Sequence, residues 1–193
     1  MTARWVVDEV AEARDLHIVW QPISLLYKNE PEPGTSYYEN TITTHRMLRV
    51  MESVRAAGGD DAVFHLYLEM GARIHHDRDR DFDVAEALAT VGLDTSHAAA
   101  ADDEAWDAEI RSRMDAGLEL VGNDVGTPII AWDRDDGRRI GIFGPVITRV
   151  PEHDDSLDLW DAMVTMTNID GFWELKKTRT ERPEFGDRPV FGG

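Results

Sequence analysis

The sequence predicts an α/β fold in which a β-hairpin in the last third and one strand near the N-terminus bracket a block of helices. Three observations support that prediction. The stretch Val121–Pro151, VGNDVGTPIIAWDRDDGRRIGIFGPVITRVP, holds two β-branched and aromatic runs separated by turn residues. Residues 35–121 carry helical apolar spacing interrupted by glycines, and residues 2–22 read as a helix followed by a strand.

In the hairpin, Gly122, Asn123 and Gly126 break the preceding helical pattern, and Thr127-Pro128 launches Ile129–Trp132, a run too short for a helix. DRDDG at Asp133–Gly137 is turn chemistry: glycine takes positive φ and aspartates bond nearby backbone, so Arg138–Phe143 is expected to return antiparallel. Pro128 has no N–H for a ladder and so belongs at the strand's first position. A cis Thr127-Pro128 bond would turn the preceding backbone outward as a recognition edge.

From the N-terminus, Thr2–Ala13 places Trp5, Val6, Val10 and Ala13 on one helical face. Leu16–Pro22 (LHIVWQP) reads as a strand ended by proline, and Ile23–Gly34 as a loop closed by Pro31, Pro33 and Gly34. Ser36–Ala57 is a helix with Met47, Leu48, Met51 and Val54 on its apolar face, stopped by Gly58-Gly59. Asp60 or Asp61 caps a second helix, Ala62–Ile74. A third helix covers Asp83–Val91, ended by Gly92, and a fourth covers Asp102–Val121. Met47, Met51 and Met70 read as core filling rather than a cofactor stripe. After the hairpin, Ser156–Thr165 is a helix with Ser156 as N-cap, Asn168–Thr178 a shorter helix, and Arg179–Gly193 an irregular tail.

The run His75–Asp83 (HHDRDRDFD) invites a metal reading and fails it. Phe82 stands where an EF-hand requires glycine, Leu88 where it requires a bidentate glutamate, and adjacent histidines diverge on a helix. A solvated interhelical loop is expected there, with no metal site.

DVGTPII, IFGPVITRVP, LWDAMVT and FWELKKTRTERPEF, in that order, resemble the DsbA-family oxidoreductases of actinobacteria described as mycothiol-dependent nitroreductases, over nearly the whole chain. The resemblance implies a thioredoxin-like fold with an inserted all-helical subdomain: residues 1–34 and 122–178 as the two thioredoxin-like halves, 35–121 as the insertion, 179–193 as the tail. It also implies a strand and a Cys-Pro-Trp-Cys motif ahead of the first helix, where the helix dipole lowers the attacking cysteine's pKa. Met1 falls just after that motif, so the first strand is missing, and a start lying further upstream is the expectation. Without that strand, between Leu16–Gln21 and Ile129–Trp132, two inner edges lose their partners. At roughly 1–3 kcal/mol per buried unpaired group, the loss rivals a domain's stability of about 5–15 kcal/mol.

By the same resemblance, Val125, Gly126, Thr127 and Pro128 form the cis-proline loop that holds a partner in a strand-like pose. Asn29 faces the substrate, and Tyr37 or Tyr38 lies beside it. Spacing does not choose between the tyrosines, and composition alone would make Asn29 an ordinary turn residue and the tyrosines core. His75, in GARIH, also lies on a family-like segment. The implied electron donor is mycothiol and the substrate a small nitroaromatic or disulfide.

Lys+Arg 20 against Asp+Glu 38 gives a net charge of −18, which repels phosphate backbones and anionic membrane surfaces, so no nucleic-acid and no membrane partner is expected. With no long apolar run and no signal-peptide pattern, a cytoplasmic protein is expected. The chain has no cysteine, hence no thiolate nucleophile, and no Ser-His-Asp set of credible spacing replaces one among its 7 histidines. Three functions compete. The first is a DsbA-like thiol–disulfide oxidoreductase. The second is a thiol-cofactor-dependent isomerase or transferase of the 2-hydroxychromene-2-carboxylate isomerase type. The third is a non-catalytic thioredoxin-like binding module, in which a homodimer would let a second protomer donate the missing strand.

Overall fold

The computed structural model of the protein describes residues 1–190. It is a helix-rich α/β chain whose described residues divide into two compact units, residues 1–18 with 117–186 and residues 19–116 with 187–190.

In the first unit, helix α1 (Thr2–Trp5) continues as a π-helical turn, Val6–Val10. Trp5, Val6 and Val10 are buried as their spacing predicts, and Leu16, Ile18, Ile130, Ile147, Val150, Leu159 and Trp160 pack around them. Ala13 lies beyond the helix and is exposed. The Trp5 and Trp160 rings meet at 5.9 Å in a tilted pair, a favourable aromatic geometry. The Thr2 hydroxyl donates to the Pro145 carbonyl at 2.8 Å.

Strands β1 (Ile129–Asp133) and β2 (Arg139–Phe143) pair antiparallel, from Ile129 opposite Phe143 to Asp133 opposite Arg139. Their turn closes as the DRDDG run predicts: Gly137 has φ 80°, its N–H donates to Arg134 O at 2.9 Å, and Asp136 Oδ1 accepts from Arg138 N–H at 3.0 Å. This hairpin is the whole sheet among the described residues. Leu16–Pro22, expected as a strand, is irregular and joins no ladder. Its apolar residues remain useful for packing, but an extended segment becomes a strand only where a neighbour takes up its backbone groups.

Helix α6 (His153–Thr167), which follows α2 (Leu25–Asn29), α3 (Ser36–Ala72), α4 (Val84–Thr90) and α5 (Asp107–Val121) along the chain, begins earlier than expected. Ser156 is therefore not its N-cap: it sits inside the first turn, fully buried, with its hydroxyl donating to Pro151 O at 3.0 Å. The helix expected at Asn168–Thr178 does not form. The chain turns at Gly171 with φ 91°, and Trp173 beyond it is 88% exposed, so no packed face supports a helix. The irregular tail is tied down by Glu184 N–H to Thr148 O at 2.7 Å and Arg4 Nη1 to Phe185 O at 2.9 Å; its last residues, 191–193, lie outside the described residues.

The second unit holds α2 (Leu25–Asn29), α3 (Ser36–Ala72) with a π-helical turn at Arg73–Asp77, α4 (Val84–Thr90) and the start of α5 (Asp107–Val121). Gly59, at φ 78° and ψ −168°, breaks α3 into two arms where the Gly58-Gly59 pair predicts a stop. Met47, Val50, Met51, Val54, Leu66 and Met70 line the core, so the methionines are core filling. Asp83 caps α4 through Ala85 N–H at 2.8 Å.

The helix expected over Asp102–Val121 starts only at Asp107. Ahead of it lie two 3₁₀ turns, Thr95–Asp102 and Glu104–Trp106. Asp94 and Asp103 each bond the N–H two residues on, at 2.8 and 2.9 Å, and these local side-chain caps restart the backbone instead of continuing one helix. His75 and His76 lie in the π-helical turn rather than in a loop, and Arg78 at φ 59° ends it. Asp77 is gripped by the fork of Arg188, with Nη2 at 2.8 Å and Nε at 3.0 Å. Among the described residues no three His, Asp or Glu side chains are grouped to hold a metal.

Candidate functional site

The segment expected as a plain loop at Ile23–Gly34 contains α2, and α2 carries Asn29 at its last position. Ser24 is its N-cap: Oγ accepts from Tyr27 N–H at 3.3 Å, while Glu30 at φ 42° terminates the turn. The Asn29 side-chain amide donates to the Tyr37 hydroxyl. Tyr37, which makes this contact, is exposed, and Tyr38 is half-buried.

Behind α2 lies a polar network that sequence spacing does not reveal. Ser24 Oγ and His45 Nδ1 are 2.9 Å apart, and His45 Nε2 lies 3.0 Å from Asp107 Oδ1. Arg49 forks both Asp107 oxygens, Nε at 2.6 Å and Nη2 at 2.7 Å, and its Nη1 donates to Ala101 O at 3.2 Å. The Tyr27 hydroxyl also bonds Asp107. The Tyr27 ring packs against the His45 ring at 4.5 Å, and the Arg111 guanidinium lies over its face at 4.1 Å.

Burial opposes ionisation of Asp107, but Arg49, Tyr27 and His45 outweigh it and hold the carboxyl at about 2. Burial lowers the His45 pKa, a shift that Arg49 and Arg111 reinforce and Asp107 resists, so the ring is neutral at physiological pH. A carboxylate only accepts, so Nε2 carries the His45 proton and Nδ1 accepts from the Ser24 hydroxyl.

A Ser-His-Asp set therefore exists in space, although the sequence showed none of credible spacing. It is not a nucleophilic triad, because Ser24 is 1% exposed and His45 3%. The available clue was His45 itself, which shares a stripe of α3 with the buried Thr41 and Glu52, polar residues at core spacing.

In the first unit, Val125, Gly126, Thr127 and Pro128 lead into β1. The Thr127–Pro128 peptide is cis, as is Gly144–Pro145, and Gly144 N–H donates to Pro128 O at 2.8 Å. The backbone groups of Val125, Gly126 and Thr127 take no hydrogen bond among the described residues, and Gly126 and Thr127 are exposed. Two surface recesses of this unit, about 370 Å³ beside Trp132, Arg134 and Asn168 and about 410 Å³ beside Arg4, Glu9 and His153, do not include this stretch.

The chain is thus a helix-rich α/β protein without a cysteine thiol, in which no three His, Asp or Glu side chains are grouped to hold a metal among the described residues. Residues 1–177 match the family model described as Rv2466c-like, mycothiol-dependent nitroreductase Rv2466c. The chain belongs to that family.

Proposed function

We propose that this chain is the recognition part of a mycothiol-dependent reduction of small nitroaromatic compounds, built on a DsbA-like variant of the thioredoxin fold. The observation that supports it most is the family match over residues 1–177. The unpaired backbone of Val125–Thr127 fits a thiol-bearing ligand laid alongside it, because an extended ligand uses N–H and C=O groups that no secondary structure has claimed.

When bound, a low-molecular-weight thiol supplies the electrons: two thiols lose two protons and two electrons to become a disulfide, and a nitro group takes them up to give a nitroso group and water. In this reading Val125, Gly126 and Thr127 hold the ligand by backbone hydrogen bonds, and Asn29 orients a polar oxygen with its side-chain amide. Tyr37 fixes that amide by accepting one of its protons. The sulfur is either the thiol's own or comes from a cysteine outside these residues, since none of the 193 is cysteine. The same reading places the protein in the cytoplasm, where reduced thiols are kept. No helix among the described residues is long and apolar enough to cross a membrane.

Titrating the isotope-labelled chain with reduced mycothiol, and separately with 4-nitroacetophenone, tests this. Saturable amide shifts at Val125–Thr127 with the thiol, and at Asn29 and Tyr37 with the nitro compound, are expected. Absence of shifts at these positions at millimolar ligand would refute the reading.

A further inference from the structure

We infer that Ser24, His45 and Asp107 form a positioning relay that fixes the direction of α2 and so aims the Asn29 side-chain amide. The geometry reads as one chain of donors: Tyr27 N–H to Ser24 Oγ at 3.3 Å, Ser24 O–H to His45 Nδ1 at 2.9 Å, and His45 Nε2–H to Asp107 Oδ1 at 3.0 Å. Ser24 and His45 each have one donor and one acceptor in use and Asp107 only accepts, so the direction of every bond is set by the carboxylate at the end. Tyr27 gives α2 a second tie to the same carboxylate through its hydroxyl. Asp107 is held in turn by the Arg49 fork, whose remaining nitrogen is anchored on Ala101 O.

A helix of the length of α2 has little stability of its own, because a single turn fixes many dihedrals for few hydrogen bonds. Its cap and its Tyr27 tie are thus what hold Leu25–Asn29 helical, and Asn29 is the last residue of that turn. The buried serine is not a nucleophile, for it is sealed from solvent and spends its proton on His45. Groups facing His45 are Asp107 and Arg111 from α5, Arg49 from α3 and Tyr27 from α2. The relay is intact only with a neutral imidazole, since a proton on Nδ1 would meet the Ser24 hydroxyl donor-to-donor and force it to turn. The consequence for ligand binding rests on the proposed role of Asn29; the relay itself does not.

The test is by nitrogen NMR of the whole chain. Long-range proton–nitrogen spectra of His45 near pH 7 should show the Nε2–H tautomer, and a protonated ring or an Nδ1–H tautomer would overturn the inference without any substitution. Ser24→Ala should speed exchange of the Asn29 side-chain amide protons about fivefold, as expected for a helix that has lost its cap. Ser24→Thr, which keeps the hydroxyl, should restore both the exchange rate and the His45 tautomer. Unchanged Asn29 exchange in a folded Ser24→Ala chain would also overturn it. If the relay signatures appear but 4-nitroacetophenone affinity is the same in both variants, the relay stands and the assignment of Asn29 to the substrate fails.

Discussion

Replacing Asp107 by asparagine removes the charge that Arg49, Tyr27 and His45 share. In the wild type the carboxyl is held at about 2 against an ordinary 3.8. A shift of that size, at about 1.36 kcal/mol per unit, corresponds to about 2 kcal/mol of stability at neutral pH. Asp107 is 21% exposed and Arg49 12%, so solvent screens the loss only partly, and a guanidinium left without its counter-charge raises the cost to about 3 kcal/mol. The sign follows from the direction of each shift. Asp107 is depressed, so its contribution is complete above about pH 4 and disappears as pH falls toward 2. His45 is also depressed but is a base: the unfolded chain takes up its proton near the ordinary value of 6.5 before the folded chain does. Stability is therefore full above that value and falls as pH drops through it. Urea melts followed by circular dichroism should show the wild type weakening in two acid steps, first below 6.5 from His45 and then between about 4 and 2 from Asp107. Asp107→Asn should lose about 3 kcal/mol near neutral pH and show a smaller second step, the remainder coming from Asp77, Asp94, Asp136 and Asp161, which their own partners also hold down. A loss under about 0.5 kcal/mol, or a gap from wild type that persists unchanged near pH 2, would refute the assignment of Asp107 as the hub.

At Gly141 a Cβ would lie 3.1 Å from Leu120 Cβ and 3.4 Å from Ile130 O, a contact that backbone on one side cannot relieve. Gly141→Ala should cost about 1–3 kcal/mol in a urea melt, whereas Gly34→Ala, with open space around its Cβ, should show only the smaller penalty of its positive φ. Trp5→Ala should cost about 3–5 kcal/mol, because the side chain is fully buried against Trp160. Tyr37→Phe deletes the acceptor of the Asn29 amide at an exposed position, so stability should hold while nitro-ligand affinity, read by titration, weakens by about two- to tenfold.

Much of the fold was legible because local chemistry and packing agree there. The DRDDG turn and its two β-branched runs became the hairpin, Gly59 broke α3 where the Gly-Gly pair stands, and Asp83 capped α4. Leu16–Pro22 lacked a neighbouring strand and Asn168–Thr178 a packed face, and other departures come from short-range hydrogen bonding that periodicity does not register. Ser24 was a capping serine ahead of Leu25–Asn29, hidden in a segment read as loop, and Asp94 and Asp103 turned an expected helical start into 3₁₀ turns. At the candidate site Asn29, Tyr37 and Tyr38 were named only through family resemblance. The preference for Tyr37 over Tyr38 came from one hydrogen bond to Asn29. His45 and Asp107 are 62 positions apart, and no local pattern links residues that meet only when α3 and α5 pack.

The absence of cysteine makes binding and chemistry separable in this chain, and that separation decides how its function is best approached. In a dithiol enzyme the ligand is consumed or trapped as a mixed disulfide, so affinity is entangled with turnover. None of the 193 residues can form that bond, so any binding of a thiol or a nitro compound to them is reversible. An equilibrium titration therefore measures recognition alone. If reduced mycothiol binds and its S-methylated derivative binds equally well, the chain recognises the sugar-bearing scaffold through backbone and amide groups, and the sulfur is placed rather than held. If S-methylation abolishes binding, the sulfur itself is a recognised group, and amide shifts confined to Val125–Thr127 would assign its contact to that open backbone.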